Sequence, residues 1–96
     1  IMLGENNLHS IDEFKFLNGK MLKRVYIGRN KINFLHKNAF ITVRNLENLN
    51  LEQNSLQIIN SEQFILTNKL DFLDLNHNNI YKIEENAFRG LEESLI

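Results

Sequence analysis

Apolar and polar positions interleave along this chain on two length scales. Over three-residue stretches, apolar residues flank an outward position: Ile1 and Leu3, Val25 and Ile27, Leu49 and Leu51, Leu73 and Leu75. That is the period-2 signature of a strand with one buried face. On the longer scale the whole pattern repeats every 24 residues. Asn6, Asn30, Asn54 and Asn78 fall in one column, and Phe16, Phe40, Phe64 and Phe88 in another. Three more apolar columns run through Leu8, Ile32, Leu56 and Ile80, through Ile11, Leu35, Ile59 and Ile83, and through Leu22, Leu46 and Leu70. Ser94 alone interrupts the last of these.

A fixed period without insertions means a stack of similar units, none of which buries its own apolar face alone. Stacking turns the short strands into one parallel sheet. The asparagine column then has a physical role. Where the chain leaves the strand, backbone groups lose their ladder partners inside the stack, and each one left unpaired costs roughly 1–3 kcal/mol. A side-chain amide supplies both donor and acceptor, so a stack of them is expected to run as a ladder between units. The phenylalanines fall in the return segment and are expected to stack as a spine, with Ile11, Leu35, Ile59 and Ile83 between spine and sheet. Residues 61–66 and 84–89 are reasonable helix formers, so the return segments are compatible with a turn of α or 3₁₀ helix without requiring it.

Read in frame, LENLNLEQNSL (46–56) and LDFLDLNHNNI (70–80) both fit Leu-x-x-Leu-x-Leu-x-x-Asn-x-Leu, and LKRVYIGRNKI (22–32) fits with aliphatic exchanges. This pattern resembles the leucine-rich repeat. The tails NFLHKNAF (33–40) and YKIEENAF (81–88) resemble the ending of its typical 24-residue class, in the style of Toll-type receptors and secreted arthropod immune proteins. The resemblance implies an α/β solenoid: a right-handed superhelix with a parallel concave β-sheet and an irregular or short-helical convex side. It also implies one array over residues 1–96, with a partial unit 1–21, full units 22–45, 46–69 and 70–93, and the start of another at 94–96. Because the chain opens on Ile1, it is expected to be an internal stretch of a longer array.

Composition narrows the chemistry. With no cysteine and no proline, disulfides, cysteine-based zinc sites, thiol nucleophiles and proline-rich motifs drop out. The resemblance places any disulfides in terminal caps, so their lack here does not argue for a reducing compartment. Eleven basic and 12 acidic side chains give a net charge of −1, a poor match to a nucleic-acid groove or a polybasic membrane patch. No stretch reaches the ~18 uninterrupted apolar residues of a membrane span. Sixteen asparagines, against 15 leucines, suit an AT-rich invertebrate genome, and four of them belong to the ladder. The lack of an Asn-x-Ser/Thr sequon weighs weakly against the extracellular location that the repeat class implies.

The side chains between the buried strand positions are expected to line the concave face, and the resemblance implies that this face recognises a protein. Met2, Arg24, Tyr26, Arg29, Asn50, Glu52, Phe72, Asp74 and His77 are the candidate contacts. Phe72, Met2 and Tyr26 would supply apolar and aromatic anchors. Arg24 and Arg29 are expected to face Glu52, Asp71 and Asp74, which grades the surface from basic to acidic. His9, His36 and His77 occupy three phases of the repeat, which argues against a shared metal site. No serine has a histidine and an acid arranged beside it, and the glycines are isolated, so neither a triad nor a phosphate loop is expected.

The expected function is therefore non-catalytic protein recognition, with no cofactor or metal. A protein ligand or co-receptor is the expected partner, and membrane contact would come only through other parts of the parent chain. Cell adhesion, or targeting of an intracellular enzyme, are the alternative roles. Four strands of about five residues at ~4.8 Å spacing present roughly 250 Å², below the ~800 Å² per partner of a standard interface, so this face is expected to be part of a larger binding site.

Overall fold

A computed structural model describes residues 2, 4–12, 16 and 19–91 of the chain. Ile1, Leu3 and Ser94, which belong to the repeat columns above, lie outside the described residues. In chain order the strands are β1 (Ser10–Ile11), β2 (Arg24–Tyr26), β3 (Phe34–Leu35), β4 (Asn48–Asn50), β5 (Ile58–Ile59), β6 (Phe72–Asp74) and β7 (Lys82–Ile83).

The main sheet is parallel, in the order β2-β4-β6, and Met2 adds a bridge to Tyr26 at the β2 edge. Its register repeats the sequence period: Arg24 pairs with Asn48 and Asn48 with Phe72, Val25 with Leu49 and Leu49 with Leu73, Tyr26 with Asn50 and Asn50 with Asp74. Alternation decides which face is buried. Val25 and Leu49 are sealed inside, while Arg24 and Phe72 are exposed on the other side. Burial is deepest in the middle units, where Leu46, Leu49, Leu51 and Leu56 each have a unit above and below. The same columns are only half-buried at Leu22 and at Leu73, Leu75 and Ile80. This is the pattern expected when each unit packs only on its neighbours.

Phe16, Phe40, Phe64 and Phe88 form the expected spine, with successive rings stacked at centroid distances of 6.0, 5.6 and 6.1 Å. Ile11, Leu35 and Ile59 fill the layer between spine and sheet, but Ile83 is 56% exposed, a departure from the expected middle layer that follows from its place in the last described unit.

The return segments carry turns at residues 61–66 and 85–90 where a helix was compatible with the sequence, and a 3₁₀ turn at Gly19–Met21. Instead of helices, they pair as short parallel rungs, β1 with β3 and β5 with β7. Hydrogen bonds such as His36 N–H to Ile11 O (2.8 Å) and Glu84 N–H to Ile59 O (3.0 Å) tie adjacent units there. Two residues per rung are too few to leave a periodicity in the sequence.

The asparagine column links units, though through backbone rather than amide to amide. Asn54 Oδ1 accepts from Ile32 N–H at 3.1 Å, and its Nδ2 donates to Ile27 O and Leu51 O, both at 3.0 Å. Asn78 repeats the arrangement one unit on, accepting from Leu56 N–H and donating to Leu51 O and Leu75 O, all at 3.0 Å. Asn30 accepts from Leu8 N–H at 3.2 Å. Asn6 is exposed and donates to Gly4 O at 3.2 Å. Asn30, Asn54 and Asn78 thus each close their own turn and clip it to the preceding unit.

Candidate functional site

The concave face is built by the residues that alternation turns outward from the main sheet. Its most ordered feature is Tyr26. Gly4 and Gly28 lie under the ring: a Cβ on Gly4 would come within 2.6 Å of Tyr26 Cε1, and one on Gly28 within 3.1 Å of the Tyr26 hydroxyl oxygen. These two glycines therefore form a shallow slot in which the phenol lies flat, half-buried. Its hydroxyl donates to Glu52 Oε1 at 3.3 Å. Tyr26 and Glu52, from adjacent units, are hydrogen-bonded across the face without any partner. Such preorganisation reduces the entropy lost when a side chain is immobilised on binding.

Around this pair two apolar side chains stand exposed among polar ones. Met2 is 77% exposed and Phe72 44% exposed. Arg24 shares a row with Asn48 and Phe72, and Tyr26 with Asn50 and Asp74. Asn50 and Asp74 each spend a side-chain oxygen on the turn that ends the strand. Asn50 Oδ1 accepts from Glu52 N–H, and Asp74 Oδ1 from Asn76 N–H, both at 2.9 Å. Both are Asx turns, in which the short side chain mimics a backbone turn, so these two residues serve the fold whatever else they touch.

Arg29 departs from the expected grading of charge. Rather than facing Glu52, Asp71 and Asp74, its guanidinium bridges Glu5 (2.8 Å) and Gln53 (2.9 Å) along the rim. The cause is backbone conformation. Glu5, Arg29, Gln53 and His77 all have positive φ, at 58°, 56°, 54° and 59°. The chain turns sharply at this phase of every described unit and carries these side chains off the concave face into a ladder of their own. Their amides profit: Glu5 N–H reaches Gly28 O, Arg29 N–H reaches Glu52 O and Gln53 N–H reaches Asn76 O at 2.9–3.1 Å. His77 is exposed at the end of this row. Glu5, Arg29 and Gln53 are not residue types that favour such φ values, which Gly, Asn, Asp and His adopt more readily, so the column leaves little mark in the sequence.

A buried polar clip on the return side also escaped the repeat pattern. Gln63 stands where Ala39 and Ala87 stand in the flanking units. Its Nε2 donates to His36 O at 2.9 Å, while Asn60 Nδ2 donates to Gln63 Oε1 and to Leu35 O, both at 2.7 Å. His36 is engaged locally, its Nδ1 accepting from Asn38 N–H at 3.0 Å.

The repeat period, the asparagine clips and the parallel sheet agree with comparison to known families. The leucine rich repeat model matches three overlapping stretches, residues 1–56, 22–80 and 44–94. The chain belongs to the leucine-rich repeat family. No curated protein sequence matches it. Leucine-rich repeats generally mediate protein–protein interaction and are generally non-catalytic.

Proposed function

We propose that the concave face of this solenoid recognises a protein ligand or co-receptor, without catalysis, as part of an extracellular receptor or secreted innate-immune protein. The observation that carries this reading is the Tyr26 slot: a half-buried aromatic laid over Gly4 and Gly28 and hydrogen-bonded to Glu52, with exposed Met2 and Phe72 on the same face. Rigid aromatic anchors surrounded by polar groups match the composition of interface hot spots. Arg24, Asn50 and Asp74 lie in the same rows of the sheet and complete the contact surface, with Glu52 orienting Tyr26 and with Arg29 and His77 on its rim.

Replacing Tyr26, Phe72 and Met2 together by alanine in the parent protein tests this. Partner affinity should fall at least a hundredfold while secretion and the circular-dichroism spectrum stay unchanged. Undiminished partner binding would remove the concave face from the account. Retention of the parent in the cytoplasm would remove the extracellular role alone.

A further inference from the structure

Away from the sheet, the return segments of the first three units enclose an open groove of about 650 Å³. Met21, Ile41 and Leu66 line it. Met21 is 81% exposed and the other two 37% each, more apolar surface than these positions need for packing on the core. The polar groups beside them differ in kind. Thr42 is occupied, its hydroxyl donating to Phe16 O. Lys20 and Arg44 line the groove as exposed cations, and neither has an ion-pair partner among the described residues. No carboxylate is among the described lining residues.

The rim is held in place. Asn45 Nδ2 donates to Lys20 O, and Lys69 Nζ donates to Asn45 Oδ1, both at 2.8 Å, so a side-chain ladder crosses three units beside the groove. Lys69 extends the cationic edge by one unit. An apolar floor flanked by one sign of charge selects an occupant by complementarity: apolar at its centre, anionic at its flanks.

We propose that this groove binds an extended acidic peptide segment of a protein partner, seating an aliphatic side chain between Met21, Ile41 and Leu66 and pairing carboxylates with Lys20 and Arg44. The volume suits a few side chains. Membrane-surface sites use clusters of about 4–8 cations, and the described residues here offer Lys20 and Arg44 with Lys69 on the rim, on a chain of net charge −1. The site is separate from the concave face and does not depend on it.

The test uses two synthetic peptides of alternating residues, glutamate with leucine and lysine with leucine, titrated into the full chain and followed by ¹H–¹⁵N correlation spectra. The glutamate peptide should shift the amides of Lys20, Met21, Ile41, Arg44 and Leu66, leave Asn50 and Phe72 in place, and bind at least tenfold more tightly than the lysine peptide. In the Lys20→Glu, Arg44→Glu double variant the preference should invert. A misfolded variant cannot show that gain for the lysine peptide, so the result separates lost charge from lost fold. The proposal is overturned by equal affinity for the two peptides, by shifts centred on the sheet, or by no shifts at all. It is equally overturned if the chain sediments with phosphatidylserine vesicles but ignores the peptide, or if concentration-dependent dimerisation buries Met21 and Leu66.

Discussion

Asn54 accepts the backbone N–H of Ile32, 22 positions earlier in the chain, at 3.1 Å. That contact, with the bond from Asn54 Nδ2 to Ile27 O, makes one side chain responsible for both its own turn and the seating of its unit on the preceding one. Asn54 is buried, and its bonds run entirely to backbone groups with no water-facing alternative. Asn54→Leu orphans the buried Ile32 N–H, at roughly 1–3 kcal/mol, while the Ile27 carbonyl keeps the amide of Asn30 as a donor. Urea denaturation should show a loss of about 1–3 kcal/mol for Asn54→Leu, while Asn48→Ala, at a half-exposed strand position, stays within about 0.5 kcal/mol of wild type.

The phenylalanine spine should divide in the same way between middle and end. Phe64 is fully buried with Phe40 and Phe88 stacked on either side, and Phe64→Ala is expected to cost about 3–5 kcal/mol. Phe88 has one stacked partner among the described residues and is half-buried, so Phe88→Ala should cost clearly less. Equal losses, read from thermal melts of the two variants, would contradict nearest-neighbour packing along the stack.

Positive φ at Gln53 (54°) gives a backbone prediction, because Val and Gly at this position both lose the bond from Arg29 Nε and differ in the backbone they tolerate. A β-branched residue is strained in this conformation, so Gln53→Val should lose about 1–2 kcal/mol. Gln53→Gly relieves the strain at the cost of a more flexible unfolded chain, and should lie within about 1 kcal/mol of wild type. Chemical denaturation of the pair checks the ordering.

The slot under Tyr26 can be filled without touching the core. Gly4→Ala places a methyl group 2.6 Å from Tyr26 Cε1 and 3.3 Å from the Gly28 carbonyl oxygen, and because the shortest contact is to a side chain that can swing away, stability should change by less than about 1 kcal/mol. The ring should lift and its hydrogen bond to Glu52 break. With two tyrosines and no tryptophan in the chain, tyrosine fluorescence reports this directly: emission should rise in Gly4→Ala as the carboxylate leaves the phenol, and an unchanged spectrum would mean that the slot does not hold the ring.

How far the sequence disclosed this structure depends on whether a feature repeats. Val25, Leu49 and Leu73, the asparagines and the phenylalanines were legible because each column reappears at the same phase and is set by burial or by a fixed hydrogen-bonding need. Positive φ at Glu5, Arg29, Gln53 and His77 repeats just as strictly but left little trace, because the constraint falls on the backbone while the side chains point to solvent and vary freely. Gln63 was hidden for the opposite reason. It occurs once, where Ala39 and Ala87 fill its place in the units around it, and only the nearby His36 carbonyl shows why an amide is stable there. On the concave face, exposure of Met2 and Phe72 follows from alternation alone. The immobilisation of Tyr26 requires Gly4 from one unit and Glu52 from another, a relationship across units that no single repeat contains.

The most direct test of concave-face recognition is site-specific photocrosslinking in the parent protein, with benzoylphenylalanine replacing Phe72 on the sheet or Phe34 on β3. Both positions are exposed aromatics in two- or three-residue strands, so the comparison holds side chain and exposure nearly constant while changing the face. Crosslinks to a defined partner protein should form from position 72 and be absent from position 34. Adducts forming only from position 34, or equally from both, would contradict recognition through the concave sheet.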